Sequence, residues 1–130
     1  MSAGRWAYVA MILAACLSGL HLSSDLHAAG ARLVRAVSLS PSLSWADVVD
    51  GLRNVVLFAG FGVVWMLTSP RAGDRAEIRR ATLMGLVLSA CIEGVQVFSN
   101  ARRASVADVA SNTIGAAAGA VVVVDRKSVV

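Results

Sequence analysis

Four stretches of this chain stay apolar for nearly the length of a membrane crossing. Trp6 to Leu22 carries no charge, and Val48 to Leu67 is strongest from Val55 onward. Ala81 to Phe98 is interrupted by Glu93 and Gln96, and Ala107 to Val124 is built mainly of Ala, Gly and Val. A hydrocarbon core of about 30 Å takes roughly 20 helical residues. Backbone inside it must satisfy its own hydrogen bonds, which selects helices over isolated strands. The pattern predicts an all-α polytopic membrane protein, a bundle of four transmembrane helices over about 6–22, 48–67, 81–98 and 107–124.

The segment between the first two stretches has a different pattern. Leu26, Ala29, Leu33 and Val37 share one helical face, with Arg32 and Arg35 turned elsewhere. Ser24-Asp25 is placed to cap such a helix, which would lie in the interface plane and end at Pro41; a plain loop is the alternative. Ser44-Trp45-Ala46-Asp47 reads as a capping box opening the next helix, with Trp45 at headgroup level. The first stretch has rivals of its own. Arg5 before a short apolar run resembles a signal peptide, and Leu13-Ala14-Ala15-Cys16 resembles a lipoprotein cleavage box. We take it as a retained helix. At the other end, Asp125 to Val130 matches the in-frame translation of a common sequencing adapter. The expectation is a transmembrane domain over 1–124 and a non-native scar over 125–130, a native basic tail being the alternative.

Composition strengthens the membrane reading. Hydrophobic residues make up 57% of the 130 and charged residues only 15%, against about 25% in a typical soluble domain. A soluble fold this small has too little interior to hide that surface. The net charge of +4 comes almost entirely from arginines, with no dense basic run interleaved with aromatics, so nucleic acid is not an expected partner. Cys16 and Cys91 lie in apolar stretches and read as small buried hydrophobes. No residues show metal-ligand spacing, and neither a metal nor a cofactor is expected.

Charged and amide side chains inside membrane segments are costly and tend to mark function. The second helix opens with Asp50-Gly-Leu-Arg-Asn54 and the fourth with Asp108-Val-Ala-Ser-Asn112, each followed by glycines: Gly60 and Gly62, then Gly115 and Gly119. The Asp-x-x-x-Asn spacing puts carboxylate and amide on one face. The two segments together suggest a faint internal repeat, with chance similarity as the competitor. Glu93 and Gln96 share a face at the end of the third helix, and Arg102 and Arg103 follow in the loop. Alternating helices bring Asp50, Asn54, Glu93, Gln96, Arg102, Asp108 and Asn112 to one side of the membrane. At 1.5 Å per residue, Glu93, Asn54 and Asn112 are expected at one depth, roughly 6–8 Å inside the helix ends. The blander readings are helix capping for Asp50 and Asp108 and interhelical bonding for the amides. Gly115-x-x-x-Gly119 reads as a close-packing motif.

In this order the residues resemble the VanZ-like family of small bacterial membrane proteins. The matching positions are Asp50, Asn54, Leu57, Phe58 and Gly62; Glu93, Gln96 and Phe98; and Arg102, Asp108, Asn112, Gly115 and Gly119, spanning residues 50–119. Gly60 departs from the family, which usually has Pro there, so a proline-directed kink is in doubt. The resemblance implies a bacterial cell-envelope protein with a link to teicoplanin-type glycopeptide resistance. It does not imply a mechanism.

Two functions fit these residues. One is a non-enzymatic pocket for a lipid headgroup, a lipid-linked glycan or a partner helix, with membrane lipids as the surrounding partners. The alternative is a membrane-embedded enzyme acting on an envelope lipid, with Glu93 or Asp108 as general base. For orientation, Arg71, Arg75, Arg79 and Arg80 crowd the loop between the second and third helices, with Arg5 on the same side. That density places both termini in the cytoplasm and opens the pocket outward from the inner membrane.

Overall fold

A computed structural model describes residues 2–38, 44–71, 74–100 and 103–128, the side chains of 126–128 excepted. Pro41 and Arg102, both assigned roles above, lie outside the described residues. Within them the chain is all-α, with helices α1 (Ala3–Leu17), α2 (Leu26–Val37), α3 (Trp45–Leu67), α4 (Arg75–Gln96) and α5 (Val106–Ser128).

Helix ends follow local chemistry. Asp25 accepts from the Ala28 backbone N–H at 3.1 Å, so the amphipathic segment does form a helix, α2. Ser44 and Asp47 form the reciprocal capping box of α3, with Trp45 exposed beside it. Three limits differ most from expectation, one being the end of α5, which runs to Ser128 and not to about 124. α1 stops at Leu17, not near 22, because the chain turns extended at Ser18 and Gly19 adopts φ 74°. α4 starts at Arg75, not near 81, because Asp74 accepts from the Ala76 N–H at 2.9 Å. That cap draws four charged residues, Arg75, Glu77, Arg79 and Arg80, into the helix.

The four longer helices alternate in direction. Along α3 and α5 the facing pairs run in the same order: Gly51 with Ser111, Val55 with Gly115, Ala59 with Gly119. These helices are therefore parallel and make the most extensive interface. α4 runs against α5, with Ser89 beside Asn112 and Gly85 beside Ala116. α1 runs against α3, placing Arg5 near Trp65 and Tyr8 near Leu57. A Cβ on Gly62, Gly115 or Gly119 would overlap backbone of the facing helix, so these glycines set how closely α3 and α5 approach. The core is Phe58, Phe61, Trp65 and Met66 of α3 over Ala116, Ala120 and Val123 of α5, closed by Ile12, Ala81 and Ile92. α3 continues unbroken through Gly60, where the Tyr8 hydroxyl occupies the space a side chain would fill.

α3 and the Val106–Asp125 part of α5 are long and apolar enough to cross a membrane. α1, with 15 residues, reaches only about 22 Å at the helical rise, and the charges at the start of α4 lower its hydropathy. Much of the outer surface is nevertheless apolar: Leu52, Val56, Leu83, Val87 and Ile114 are all more than half exposed. Cys91 is exposed on α4 and Cys16 is half-buried, so the expected burial of both cysteines is not met.

Candidate functional site

Four of the motif residues, Asn54, Glu93, Asp108 and Asn112, gather where α5 begins and α4 ends, against the third turn of α3. The amide Nδ2 of Asn54 donates to Asp108 Oδ1 at 3.0 Å, tying α3 to α5. Glu93, 9% exposed, accepts the Ser105 backbone N–H at 2.8 Å. Ser105 is the residue before α5, and its carbonyl accepts the Asp108 and Val109 N–H groups. Glu93 thus sits against the N-terminal end of α5, where the helix dipole favours a negative group. One turn deeper, Asn112 Nδ2 donates to Ser89 Oγ at 2.7 Å, tying α5 to α4.

The arrangement differs from a single ring. Glu93 and Asp108 occupy an outer tier, and Asn112 pairs one turn further in with Ser89. The cause is the antiparallel run of α4 against α5, which sets Ser89, four residues before Glu93, beside Asn112. Asn112 is 3% exposed, and its Oδ1 has no hydrogen-bond partner among the described residues.

Two expected members point elsewhere. Asp50 is on the exposed side of α3, 3.7 Å from the equally exposed Arg53, an ion pair worth little in solvent. The two Asp-x-x-x-Asn segments therefore do not pair as a symmetric repeat, because Asp50 has no counterpart to the Asn54–Asp108 bond. Gln96 turns to α1 and donates to the Cys16 carbonyl oxygen at 3.2 Å. It holds α1 against α4 beside the site. Arg102 lies outside the described residues.

Other contributors went unread in the sequence. Ser89 and Ser105 look like ordinary small polar residues in helix and loop. Arg32 reaches back from α2 to the Val97 carbonyl at 3.2 Å and to the Asn100 side chain, anchoring α2 beside the end of α4. The chain after α1 reinforces this through Ser23 N–H to the Phe98 carbonyl at 2.8 Å and Asn100 N–H to the His21 carbonyl at 3.1 Å. Neither long-range pairing leaves a local signal. The start of α4 did leave a local signal: Asp74-Arg-Ala-Glu77 has capping-box spacing inside what reads as a basic loop.

Chemically, the junction presents two carboxylates, two amides and a hydroxyl at one end of a tight bundle. Such groups donate to and accept from hydroxyls and amides. Neither the curated proteins nor the solved structures contain a match to this chain. The model of the VanZ/LLP1 family matches residues 6–126. That match includes every helix bearing the polar junction, and the chain belongs to the VanZ/LLP1 family.

Proposed function

We propose that this chain is a bacterial envelope protein of the cytoplasmic membrane whose polar junction holds the headgroup of a membrane lipid or lipid-linked glycan. In this reading α1, α3, α4 and α5 all cross the membrane, α2 lies in the interface, and both termini are cytoplasmic. The apolar outer faces support lipid contact. The exposed Leu26, Leu33, Val34 and Val37 of α2 support its interfacial placement.

The observation that carries the pocket is Asn112. A buried polar atom left without a partner costs about 1–3 kcal/mol. Here it lies one turn below Glu93 and Asp108, on the face that closes the bundle. A ligand hydroxyl or amide N–H donating to Asn112 Oδ1 relieves that cost. Glu93, Asp108 and Asn54 line the approach in this reading. A role in glycopeptide resistance follows if the ligand is a lipid-linked wall precursor.

Lipid extracted from the purified protein, compared with the bulk membrane by mass spectrometry, tests the binding. One lipid class should be enriched over the bulk and lost in the Asn112→Leu variant. An identical lipid profile for protein and bulk membrane overturns the reading. The burial of the Glu93 carboxylate favours the second reading, a membrane enzyme using Glu93 or Asp108 as base. Glu93→Gln separates the two: turnover of the enriched lipid collapses in an enzyme, whereas a binding site is only weakened.

A further inference from the structure

A second charged cluster lies at the opposite end of the bundle, where α1 and α4 begin and α3 ends. Its centre is Glu77, only 4% exposed. Glu77 Oε1 accepts the Trp65 indole N–H at 2.9 Å and lies 3.7 Å from the Arg5 guanidinium. Glu77 Oε2 accepts from Arg80 at 3.0 Å. The Arg5 side chain is 11% exposed. Its guanidinium carbon stacks 4.1 Å from the Trp65 ring centroid, and its N–H groups donate to the Trp65 carbonyl at 3.0 Å and to Thr68 Oγ1 at 2.9 Å. The last carbonyls of α3 are thereby capped by a cation, which offsets the negative end of that helix.

Beside this network is a cavity of about 190 Å³ lined by Arg5, Ser69, Pro70, Arg71, Glu77 and Arg80. Three arginines line it against one glutamate, and both oxygens of that carboxylate are already engaged. Asp74, the nearest other acid in sequence, is engaged in capping α4. Arg71 is exposed, and its side chain has no ion pair among the described residues. A positive excess is therefore concentrated in a recess whose inner wall is held rigid by Glu77 and Trp65.

We infer that this recess is a binding site for a phosphate group, carried by the headgroup of an anionic membrane lipid. Guanidinium forks match the oxygens of a phosphate, and the cavity has room for the group with part of its headgroup. Basic recesses between helices at a membrane face are suited to anionic headgroups. Leu67 and Trp6, 62% and 59% exposed at the same end of the bundle, supply apolar surface for the attached chains. The site is independent of the polar junction, which lies at the other end and carries acids and amides in place of arginines.

The test uses the full chain in a neutral maltoside detergent, titrated with short-chain phosphatidylglycerol, short-chain phosphatidylcholine or inorganic phosphate, and read by native mass spectrometry. Phosphatidylglycerol should bind at one equivalent and more tightly than phosphatidylcholine. Arg71→Gln should weaken it by about tenfold, the loss of one charge-assisted contact, with an unchanged melting temperature. Competition by inorganic phosphate at similar concentrations supports the oxyanion site but assigns it to a soluble phosphate. Equal binding of both lipids, or equal binding by Arg71→Gln and the unaltered chain, overturns the inference. Gly94→Ala serves as a control at the other end and should leave this binding unchanged.

Discussion

The amide of Asn54 and the carboxylate of Asp108 meet at 3.0 Å although 54 positions separate them in the chain. The bond joins the third turn of α3 to the first turn of α5, two parallel helices whose glycine faces permit the approach. Removing one partner leaves the other part-buried and unmatched. Asn54→Ala is expected to destabilise the protein by about 1–3 kcal/mol. Asp108→Asn, which can still bond the amide, should cost less. Thermal melts of the two variants in the same detergent give the order, and a reversed order refutes the pairing.

The α3–α5 contact predicts a sharp contrast between glycines. A Cβ at Gly119 would overlap the Ala59 carbonyl, which is backbone and cannot swing aside, whereas nothing lies within 4 Å of one at Gly94. Gly119→Ala should therefore cost about 1–3 kcal/mol through overpacking. Gly94→Ala should be neutral, or stabilising by up to about 1 kcal/mol from helix propensity. Equal effects in a melting experiment would place the two helices further apart than the structure does.

Tyr8 and Gly60 form a separate test of α1 docking. The Tyr8 hydroxyl donates to the Leu57 carbonyl at 3.1 Å and fills the space at Gly60. Gly60→Ala collides with that hydroxyl, and Tyr8→Phe removes it. The double variant should lose less stability than the two single losses combined, because contacting sites couple. Simple additivity in a double-mutant cycle would separate the two residues.

Glu77 is the most vulnerable acid. Glu77→Ala leaves the largely buried Arg5 cation without its carboxylate partner and removes the acceptor of the Trp65 indole. Breaking one side of a buried pair costs about 3–5 kcal/mol. Asp50→Ala, at the exposed pair with Arg53, should change stability by under about 1 kcal/mol. Comparing the two melting temperatures checks the distinction directly.

Orientation follows from the proposed topology. In a chain with Cys16 and Cys91 replaced by Ala, a cysteine at exposed Arg103 should react with a membrane-impermeant thiol reagent on intact cells. A cysteine at exposed Arg75 should react only after lysis. The reverse pattern turns the polar junction to the cytoplasm.

Helix content, the order of the helices and the family were legible in the sequence because each rests on local or periodic information. Apolar runs mark α3 and α5, Ser44 and Asp47 announce the start of α3, and Asp50 through Gly119 carry the family motifs in linear order. The amphipathic spacing of Leu26, Leu33 and Val37 was likewise enough to find α2. The partners of the polar side chains were not legible, because they depend on how far neighbouring helices are staggered. Asp50 and Asn54 share a helical face in the sequence, yet the packing of α3 on α5 gives Asn54 a carboxylate and leaves Asp50 to solvent. Gln96 matched the site motif but is drawn to α1 by the Cys16 carbonyl near the end of that short helix. Glu77 sat in what reads as a basic loop, and only the docking of Arg5 and Trp65 from two other helices turns it into a buried centre. Hydrophobic period selects which segments become helices. The direction in which a buried polar group points is decided by the tertiary contact that offers it a hydrogen bond.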